Sequence, residues 1–287
     1  MRFDYHMHLE YGSYDEDYAE GFFRAAEQRG VYEIGFSEHS HTFPEFEQLY
    51  YDDLILDDSA VGQFQRKWLK KNKFKYTLDE YFSFIEKLRK KHKVRAGIEV
   101  CNFCDQAAVA KILAAYPFDY VIGSVHFLHG WAYDTEAIVA EWDNHPLTEI
   151  YEWYAEEAEH LAAAHLYDVL GHPFNIRLYR HFPTFDVTPY LERVAAAMAA
   201  AMAAADMIVD LNTGTYYRYP VHEFSPYPDF MRAAHAHGLP LITTSDAHKP
   251  EDCARYNEEA VQYARSFGYT EQIHFTGGRT RESVPLI

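Results

Sequence analysis

The sequence has little positive charge and no long apolar run. Its 287 residues carry 26 lysines and arginines against 44 aspartates and glutamates, which gives a net charge of −18. This acidic excess argues against a nucleic-acid or anionic-membrane partner, because phosphate backbones require a basic surface. No apolar stretch reaches the roughly 18 residues of a membrane span, and the amino terminus lacks the apolar segment of a secretory signal. We therefore expect a soluble, cytoplasmic protein.

Cysteine is also scarce. There are three cysteines, an odd number, so the sequence does not predict a disulfide framework. Cys101 and Cys104 form a CxxC pair without a second pair, which is weak evidence for a zinc or redox site, and we interpret the pair as structural. Histidine, in contrast, is abundant, with 17 residues. Its placement therefore matters most for function.

Short apolar runs alternate with amphipathic segments along the chain. The runs predict strands at residues 3–7, 32–37, 94–100, 120–126, 169–171, 208–212 and 241–244, and the segments predict helices at 18–29, 77–91, 105–116, 147–165 and 189–205. Strands that alternate with helices predict a parallel sheet, and this number of strands suits a barrel. No linker rich in proline, glycine or serine divides the chain. We predict one α/β domain over residues 1–287, with an insertion at about 43–76.

Histidines and carboxylates follow the ends of six of these predicted strands. They are His6 and His8, His39, Glu99, His126, His172, and Asp246 with His248. In a parallel barrel the carboxyl ends of the strands converge on one face, where active sites lie. A lone histidine at a strand end is usually a hydrogen-bonded structural residue, but random placement would scatter such residues over helices and loops. The six ends together therefore predict one site.

Such a set of buried imidazoles and carboxylates is costly unless a cation compensates it. Nitrogen and oxygen donors without thiolates suit Zn, Mn or Fe. Six histidines with two or three carboxylates are enough for two or three divalent ions, and ions about 3.5–4 Å apart are the usual arrangement for phosphoester hydrolysis. The residues themselves therefore predict a polynuclear metallohydrolase.

In their order along the chain, the motifs resemble those of the PHP (polymerase and histidinol phosphatase) family. They are His6-x-His8, Glu38-His39, Gly97-x-Glu99, Gly123-Ser-Val-His126, Gly171-His172-Pro173 and Ser245-Asp246-Ala-His248. Within this family the chain looks most similar to the histidinol-phosphate phosphatases. The resemblance implies a distorted (β/α)7 barrel of TIM-like type and hydrolysis of a small phosphate monoester, L-histidinol phosphate, in histidine biosynthesis.

The resemblance also implies which residues bind the ions. The implied ligands are His6, His8, Glu99 and Asp246 for the first ion, Glu99, His126 and His172 for the second, and His39 and His248 for the third. Related phosphatases usually have another histidine at the position of Tyr14. We expect the neighbouring Asp15 to serve the third ion in its place.

For the reaction, the resemblance places phosphate contacts at Arg177 and Arg218. We expect a water bridging two ions beside Glu99 to lose a proton and attack phosphorus in line, without a covalent enzyme intermediate. Asp246, His248 or His39 could assist the leaving alkoxide. The candidate catalytic residues are Glu99, Asp246 and His248.

Three alternatives stay open at the level of sequence. The first is a PHP-family hydrolase acting on another small phosphate or a nucleotide, which the departure at Tyr14 favours. The second is a catalytically silent metal-binding module, against which the retention of nearly all ligand positions speaks. The third is a zinc amidohydrolase, which would ordinarily have a bridging lysine at a strand end, and no such lysine is evident.

Overall fold

The computed structural model describes residues 1–71, 73–201 and 207–287. Within these ranges, seven parallel strands form one sheet in chain order: β1 (Arg2–Asp4), β2 (Val31–His39), β3 (Val94–Cys101), β4 (Tyr120–Ser124), β5 (Val169–Leu170), β6 (Ile208–Asn212) and β7 (Leu241–Thr244). Beyond the ends of β1 and β7, Met7 and Ala247 form a parallel bridge, so the sheet nearly closes on itself. The predicted (β/α)7 barrel is confirmed.

In the described residues, ten α-helices accompany the strands. They are α1 (Glu16–Gln28), α2 (Glu47–Asp53), α3 (Ala60–Leu69), α4 (Leu78–Arg89), α5 (Gln106–Ala114), α6 (Leu147–Ala164), α7 (Thr188–Ala201), α8 (Gly214–Arg218), α9 (Pro228–Ala236) and α10 (Asn257–Ser266). The predicted helix 189–205 corresponds to α7, and its last four positions, 202–205, lie outside the described residues. Across the described ranges, no helix combines the length and apolarity that a membrane crossing requires.

Helix α4 shows how local sequence sets an element. Thr77 accepts a hydrogen bond from the Glu80 amide, and the Glu80 side chain accepts one from the Thr77 amide, which is a capping box. Tyr81, Ile85 and Leu88 then recur at helical spacing and are buried. The Tyr81 hydroxyl lies within hydrogen-bond distance of two main-chain carbonyl oxygens of β2 and β3. The helix is thereby fixed against the strands that carry part of the site.

Strand β3 depends on a close contact between Gly97 and the ring of Tyr120. A Cβ added at Gly97 would lie 2.2 Å from that ring, so only glycine leaves room for it. Tyr120 is fully buried. Because Glu99 is only two residues beyond Gly97, this packing also fixes the part of β3 that carries Glu99.

A hairpin that the sequence analysis did not predict closes the amino-terminal end of the barrel. Strands β8 (Glu271–Gly277) and β9 (Thr280–Pro285) pair antiparallel. Three of their side chains, Ile273, Phe275 and Val284, join a buried cluster. Its other members lie in the barrel strands or directly after β1: Phe3, Tyr5, Tyr120, Ile122, Val169, Ile208 and Ile242. Within the described residues, this apolar cluster fills the amino-terminal end of the barrel, and the predicted site residues lie at its other end.

The predicted insertion at 43–76 is largely helical. It contains a 3₁₀ helix at Pro44–Phe46 and helices α2 and α3. It is joined to the loop that follows β4, because the Ile55 amide donates to Gly130 O over 2.9 Å and the Ala132 amide donates to Gln65 Oε1 over 2.8 Å. The insertion thus forms one wall beside the carboxyl ends of the strands.

Candidate metal centre

The predicted site residues follow the carboxyl ends of the barrel strands. His39 is the last residue of β2, and Glu99 lies near the end of β3. The others stand just beyond a strand: His6 and His8 after β1, His126 after β4, His172 after β5, and Asp246 and His248 after β7. Because the strands are parallel, these ends share one face of the barrel, and the structure brings all of these side chains together there.

Glu99 is the centre of the cluster and is buried. The distances from its carboxylate oxygens to imidazole nitrogens are 3.1 Å for His126 and His172, 3.3 Å for His6, 2.6 Å for His39 and 3.7 Å for His8. Ser124 donates a hydrogen bond to Glu99 Oε1 over 2.6 Å and so holds the carboxylate in place. One carboxylate thus faces imidazoles that follow four different strands.

Asp246 is the second carboxylate of the cluster. Its Oδ1 lies 3.2 Å from both His8 Nε2 and His248 Nε2, and 3.9 Å from His6 Nε2. Its backbone adopts φ = 51°, a left-handed conformation that residues other than glycine seldom take. Such conformations persist where the surrounding structure enforces them, and they are common at functional sites.

Three further carboxylates contact the outer nitrogens of cluster histidines. The pairs are Asp210 Oδ2 with His6 Nδ1 at 2.9 Å, Asp134 Oδ2 with His126 Nδ1 at 2.6 Å, and Glu10 Oε1 with His248 Nδ1 at 2.5 Å. A carboxylate on one ring nitrogen fixes the ring and its tautomer and leaves the other nitrogen as a donor to a metal ion. In each of these three histidines that other nitrogen, Nε2, faces Glu99 or Asp246.

Burial and neighbouring charges set the protonation of the cluster. Burial raises the pKa of Glu99, but the charges of the surrounding histidines outweigh burial, so this pKa lies well below its usual range. Burial lowers the pKa of His8, and the charges of His39 and His248 lower it further. Burial also lowers the pKa values of His6 and His126, but the neighbouring carboxylates outweigh it and hold both pKa values well above their usual range, so a metal ion would displace a proton from these two rings.

Several buried donor atoms of the cluster approach neighbouring ligand atoms but form no hydrogen bond of acceptable geometry among the described residues. They are His6 Nε2, both ring nitrogens of His8, Glu99 Oε2 and His248 Nε2. A buried polar atom without a partner costs about 1–3 kcal/mol. Three overlapping groups have their ligand atoms within 4.8 Å of one another: His6, His8 and Glu99; His39, Glu99 and His126; and His8, His39 and His248. These nitrogen and oxygen donors fit divalent Zn, Mn or Fe ions.

A cavity of about 380 Å³ opens beside the cluster. Cluster residues form its floor, and side chains of the insertion, among them Phe64, Trp68 and Lys73, form one wall. Its volume is in the range of cavities that bind small ligands.

Of the two predicted phosphate-binding arginines, Arg218 reaches this cavity. Its Nη1 lies 3.0 Å from Asp246 Oδ1 and donates to the Asp246 main-chain oxygen over 2.8 Å. Arg177 does not line the cavity. It donates to Glu223 Oε1 over 2.9 Å, and its guanidinium lies 4.3 Å from the ring centroid of Tyr227.

Asp15 is not brought to the cluster. It is the N-cap of α1, where its carboxylate accepts a hydrogen bond from the Asp17 amide over 3.1 Å. The ring of Tyr14 stacks on that of Tyr76 at 4.3 Å, away from the cluster. Glu10 is the acid of this segment that reaches the histidines, because its ligand atoms lie within 4.8 Å of His39 as well as beside His248.

Four residues at the cluster or its cavity were not predicted from the sequence: Glu10, Asp134, Asp210 and Lys73. Glu10 had a signal, since it continues the alternation of His6 and His8 by one step. Asp210 had one too, because it is an acid between the apolar residues Val209 and Leu211 of a predicted strand; the structure buries it fully. Asp134 and Lys73 lie in irregular segments, where spacing carries no such information.

The chain is similar to known proteins of the family that its motifs resemble. The PHP domain family matches residues 4–214 of the chain. The probable histidinol-phosphatase of Deinococcus radiodurans is 32% identical over 196 residues, which cover 67% of this chain and 73% of that protein.

Two solved structures are similar in fold. One is histidinol phosphate phosphatase from Lactococcus lactis subsp. lactis Il1403 complexed with Zn, L-histidinol and phosphate, with a TM-score of 0.69, 19% identity and 98% of each chain covered. The other is the putative histidinol phosphatase of Listeria monocytogenes, with a TM-score of 0.66, 19% identity, and 90% of this chain and 99% of that chain covered. At this level of identity the likeness establishes the fold.

Proposed function

Because the chain belongs to the PHP domain family, we propose that it is a metal-dependent phosphomonoester hydrolase whose substrate is L-histidinol phosphate, an intermediate of histidine biosynthesis. The observation that carries this proposal is the position of Glu99, whose two oxygens face imidazoles from four strands at the floor of a cavity. The similarity to a probable histidinol-phosphatase, and the L-histidinol and phosphate in the L. lactis structure, support the substrate.

We assign the metal ligands in three sets. They are His6, His8, Glu99 and Asp246 for the first ion; Glu99, His126 and His172 for the second; and His39 and His248 for the third, where Glu10 holds the outer nitrogen of His248 and Asp15 takes no part. When bound, the ions supply the Lewis acidity that activates water and neutralises charge on phosphoryl oxygens. Zinc, manganese and iron all suit these donors, and zinc is present in the L. lactis structure.

The residues of the chain orient this chemistry. Ser124 holds Glu99, while Asp210 and Asp134 hold His6 and His126 with one ring nitrogen toward the cluster. Arg218 is positioned at the cavity to neutralise charge on the phosphoryl oxygens. Glu99, Asp246 and His248 stay the predicted catalytic residues.

The shape and charge of the cavity suit histidinol. Phe64, Trp68 and Phe127 line it and offer flat apolar surfaces to an imidazole ring. The carboxylates of Glu10 and Asp134 also line it and suit a cationic amine.

Phosphate release from L-histidinol phosphate tests the proposal. Protein reconstituted with Zn or Mn is compared with chelator-treated protein, with Glu99→Gln, and with Asp15→Asn as a matched control away from the cluster. We expect metal-dependent kcat/KM of at least ~10⁴ M⁻¹s⁻¹, lost in Glu99→Gln and kept in Asp15→Asn. Faster turnover of another ester in a panel of nucleotides and sugar phosphates would reassign the substrate. Bound metal without turnover of any ester would support a silent module.

A further inference from the structure

Lys73 is a cation in the cavity wall that the proposed reaction has not yet used. The insertion carries it between α3 and α4, and it is partly buried. Its Nζ lies 3.2 Å from Nε2 and 3.4 Å from Nδ1 of His41, and 4.4 Å from the ring centroid of Trp68. Both nitrogens lie within hydrogen-bond distance, so the ammonium can donate to whichever nitrogen of His41 is unprotonated.

These ring contacts do not neutralise the charge of Lys73. Among the residues that the structure describes, no carboxylate lies within the 4.0 Å of a salt bridge to its Nζ. An ammonium has three N–H donors, and aromatic rings attract the cation without offering it a negative charge. Burial lowers the pKa of Lys73, and the charge of Glu10 offsets this only in part.

The other lysine or arginine lining the cavity in the described residues is Arg218, and its state differs. Arg218 already has a carboxylate, since its Nη1 lies 3.0 Å from Asp246 Oδ1. Of these two cations, Lys73 is therefore the one without a carboxylate in salt-bridge contact. It also lies near the cluster, because His41, which it contacts, has its ring centroid 4.7 Å from that of His39.

We propose that Lys73 binds the phosphoryl group of the substrate, so that the insertion determines specificity for a phosphorylated ligand. This role rests on the proposed function for the identity of the substrate, but its own requirement is narrower: an anionic phosphate oxygen bound by the Nζ ammonium. A lysine suits this task as a compact, rotatable point charge.

Calorimetric binding of inorganic phosphate to the metal-reconstituted protein tests the role without any turnover. The variants are Lys73→Met, which keeps the length of the side chain, and Lys73→Arg, which keeps the charge. Lys75→Met is the matched control, because Lys75 is exposed, lies 4.7 Å from the ring centroid of Tyr76 and does not line the cavity. L-Histidinol, which lacks the phosphate, is the second probe.

We expect Lys73→Met to weaken phosphate binding about tenfold or more and to raise KM for the ester by a similar factor. Lys73→Arg should recover most of this loss, and Lys75→Met should match the wild type. L-Histidinol should bind equally to wild type and Lys73→Met, because it does not use the lysine.

Two results would overturn the role of Lys73. One is unchanged phosphate affinity in Lys73→Met, or no phosphate binding by the wild type itself. The other is an equal loss of phosphate and L-histidinol affinity, which would make Lys73 a structural support for Trp68. If phosphate binds through Lys73 but L-histidinol phosphate is not hydrolysed, the proposed substrate fails and the anion site stands.

Discussion

Replacing Asp210 by asparagine would remove one charge from behind the cluster with almost no change in volume. The Asp210 carboxylate is fully buried. Its Oδ2 lies 2.9 Å from His6 Nδ1, 3.0 Å from the His172 amide and 3.2 Å from Asn212 Nδ2, and its Oδ1 accepts from Thr244 Oγ1 over 2.5 Å. An asparagine oxygen at the Oδ2 position accepts from the same three donors. Its amide nitrogen then donates to Thr244, whose hydroxyl also accepts.

Asp210→Asn should therefore fold normally and lose metal affinity. The hydrogen bonds are conserved, so we expect the free energy of unfolding of the metal-free protein to change by about 1 kcal/mol or less. His6 loses its anionic partner, and removal of such a partner typically weakens metal binding by about 10- to 100-fold. That factor corresponds to roughly 1.4–2.7 kcal/mol of binding free energy. Asp210→Ala, in contrast, leaves the donors without an acceptor, so it should destabilise the fold itself by at least ~1–3 kcal/mol.

Competition with a chromogenic chelator measures the affinity, and thermal melting of the chelator-treated protein measures the fold. Asp15→Asn is the control for a carboxylate-to-amide change outside the cluster. If Asp210→Asn bound Zn as tightly as the wild type, Asp210 would not hold His6 for a metal ion, and the reasoning from carboxylate–histidine pairs would be wrong.

Three further predictions test other parts of the structure. Gly171→Ala places a Cβ 2.0 Å from Ser124 Oγ, which must then move away from Glu99. We expect kcat for phosphate release to fall on the order of 10²-fold, while the circular dichroism spectrum, which is the control for folding, stays unchanged. Glu10→Gln should weaken binding at His248 and so lower the number of bound ions per chain in mass spectrometry, while Asp15→Asn leaves it unchanged; equal metal content would show that Glu10 does not hold His248 for a third ion. Phe275→Ala should lower the free energy of unfolding by about 3–5 kcal/mol without changing the metal content of the folded protein; a loss of metal would link the hairpin to the site.

The strand-end residues could be predicted from sequence because one geometric rule governs them. In a parallel barrel, the carboxyl ends of all strands meet on one face, whatever the connecting segments do. His126 and His172, for example, lie 46 positions apart in the sequence, yet both approach Glu99 Oε1 to 3.1 Å. The position of each histidine at the end of a short apolar run was enough to find them.

The choice between neighbouring acids could not be made in this way. Asp15 and Glu10 are both close to His8 in sequence, and which of them reaches the cluster depends on where α1 begins. Because α1 begins at Glu16, Asp15 caps the helix, and the turn before it carries Glu10 to His248. The position of Lys73 at the cavity depends on how the insertion folds, and the irregular segment that carries Lys73 has no helical or strand periodicity from which this could be predicted.

The hairpin of β8 and β9 was a different kind of omission. Ile273 and Phe275 alternate with polar residues ahead of Gly277 and Gly278, and Val284 follows in β9, which is typical of a hairpin. Its apolar side chains find their partners only at the end of the barrel, among residues such as Phe3 and Ile208. A local pattern therefore existed, but its destination depended on the closed barrel.

Closure of the barrel between its first and seventh strands also has a consequence for the order of events during translation. The Ser245 amide donates to Asp4 Oδ1 across 241 positions of sequence. Contacts of such separation form late, because a long loop must be ordered first. A ribosome-bound chain thus presents His6 and His8 long before Asp246 has been synthesised. Any ion that meets the nascent chain earlier finds only part of the first ligand set.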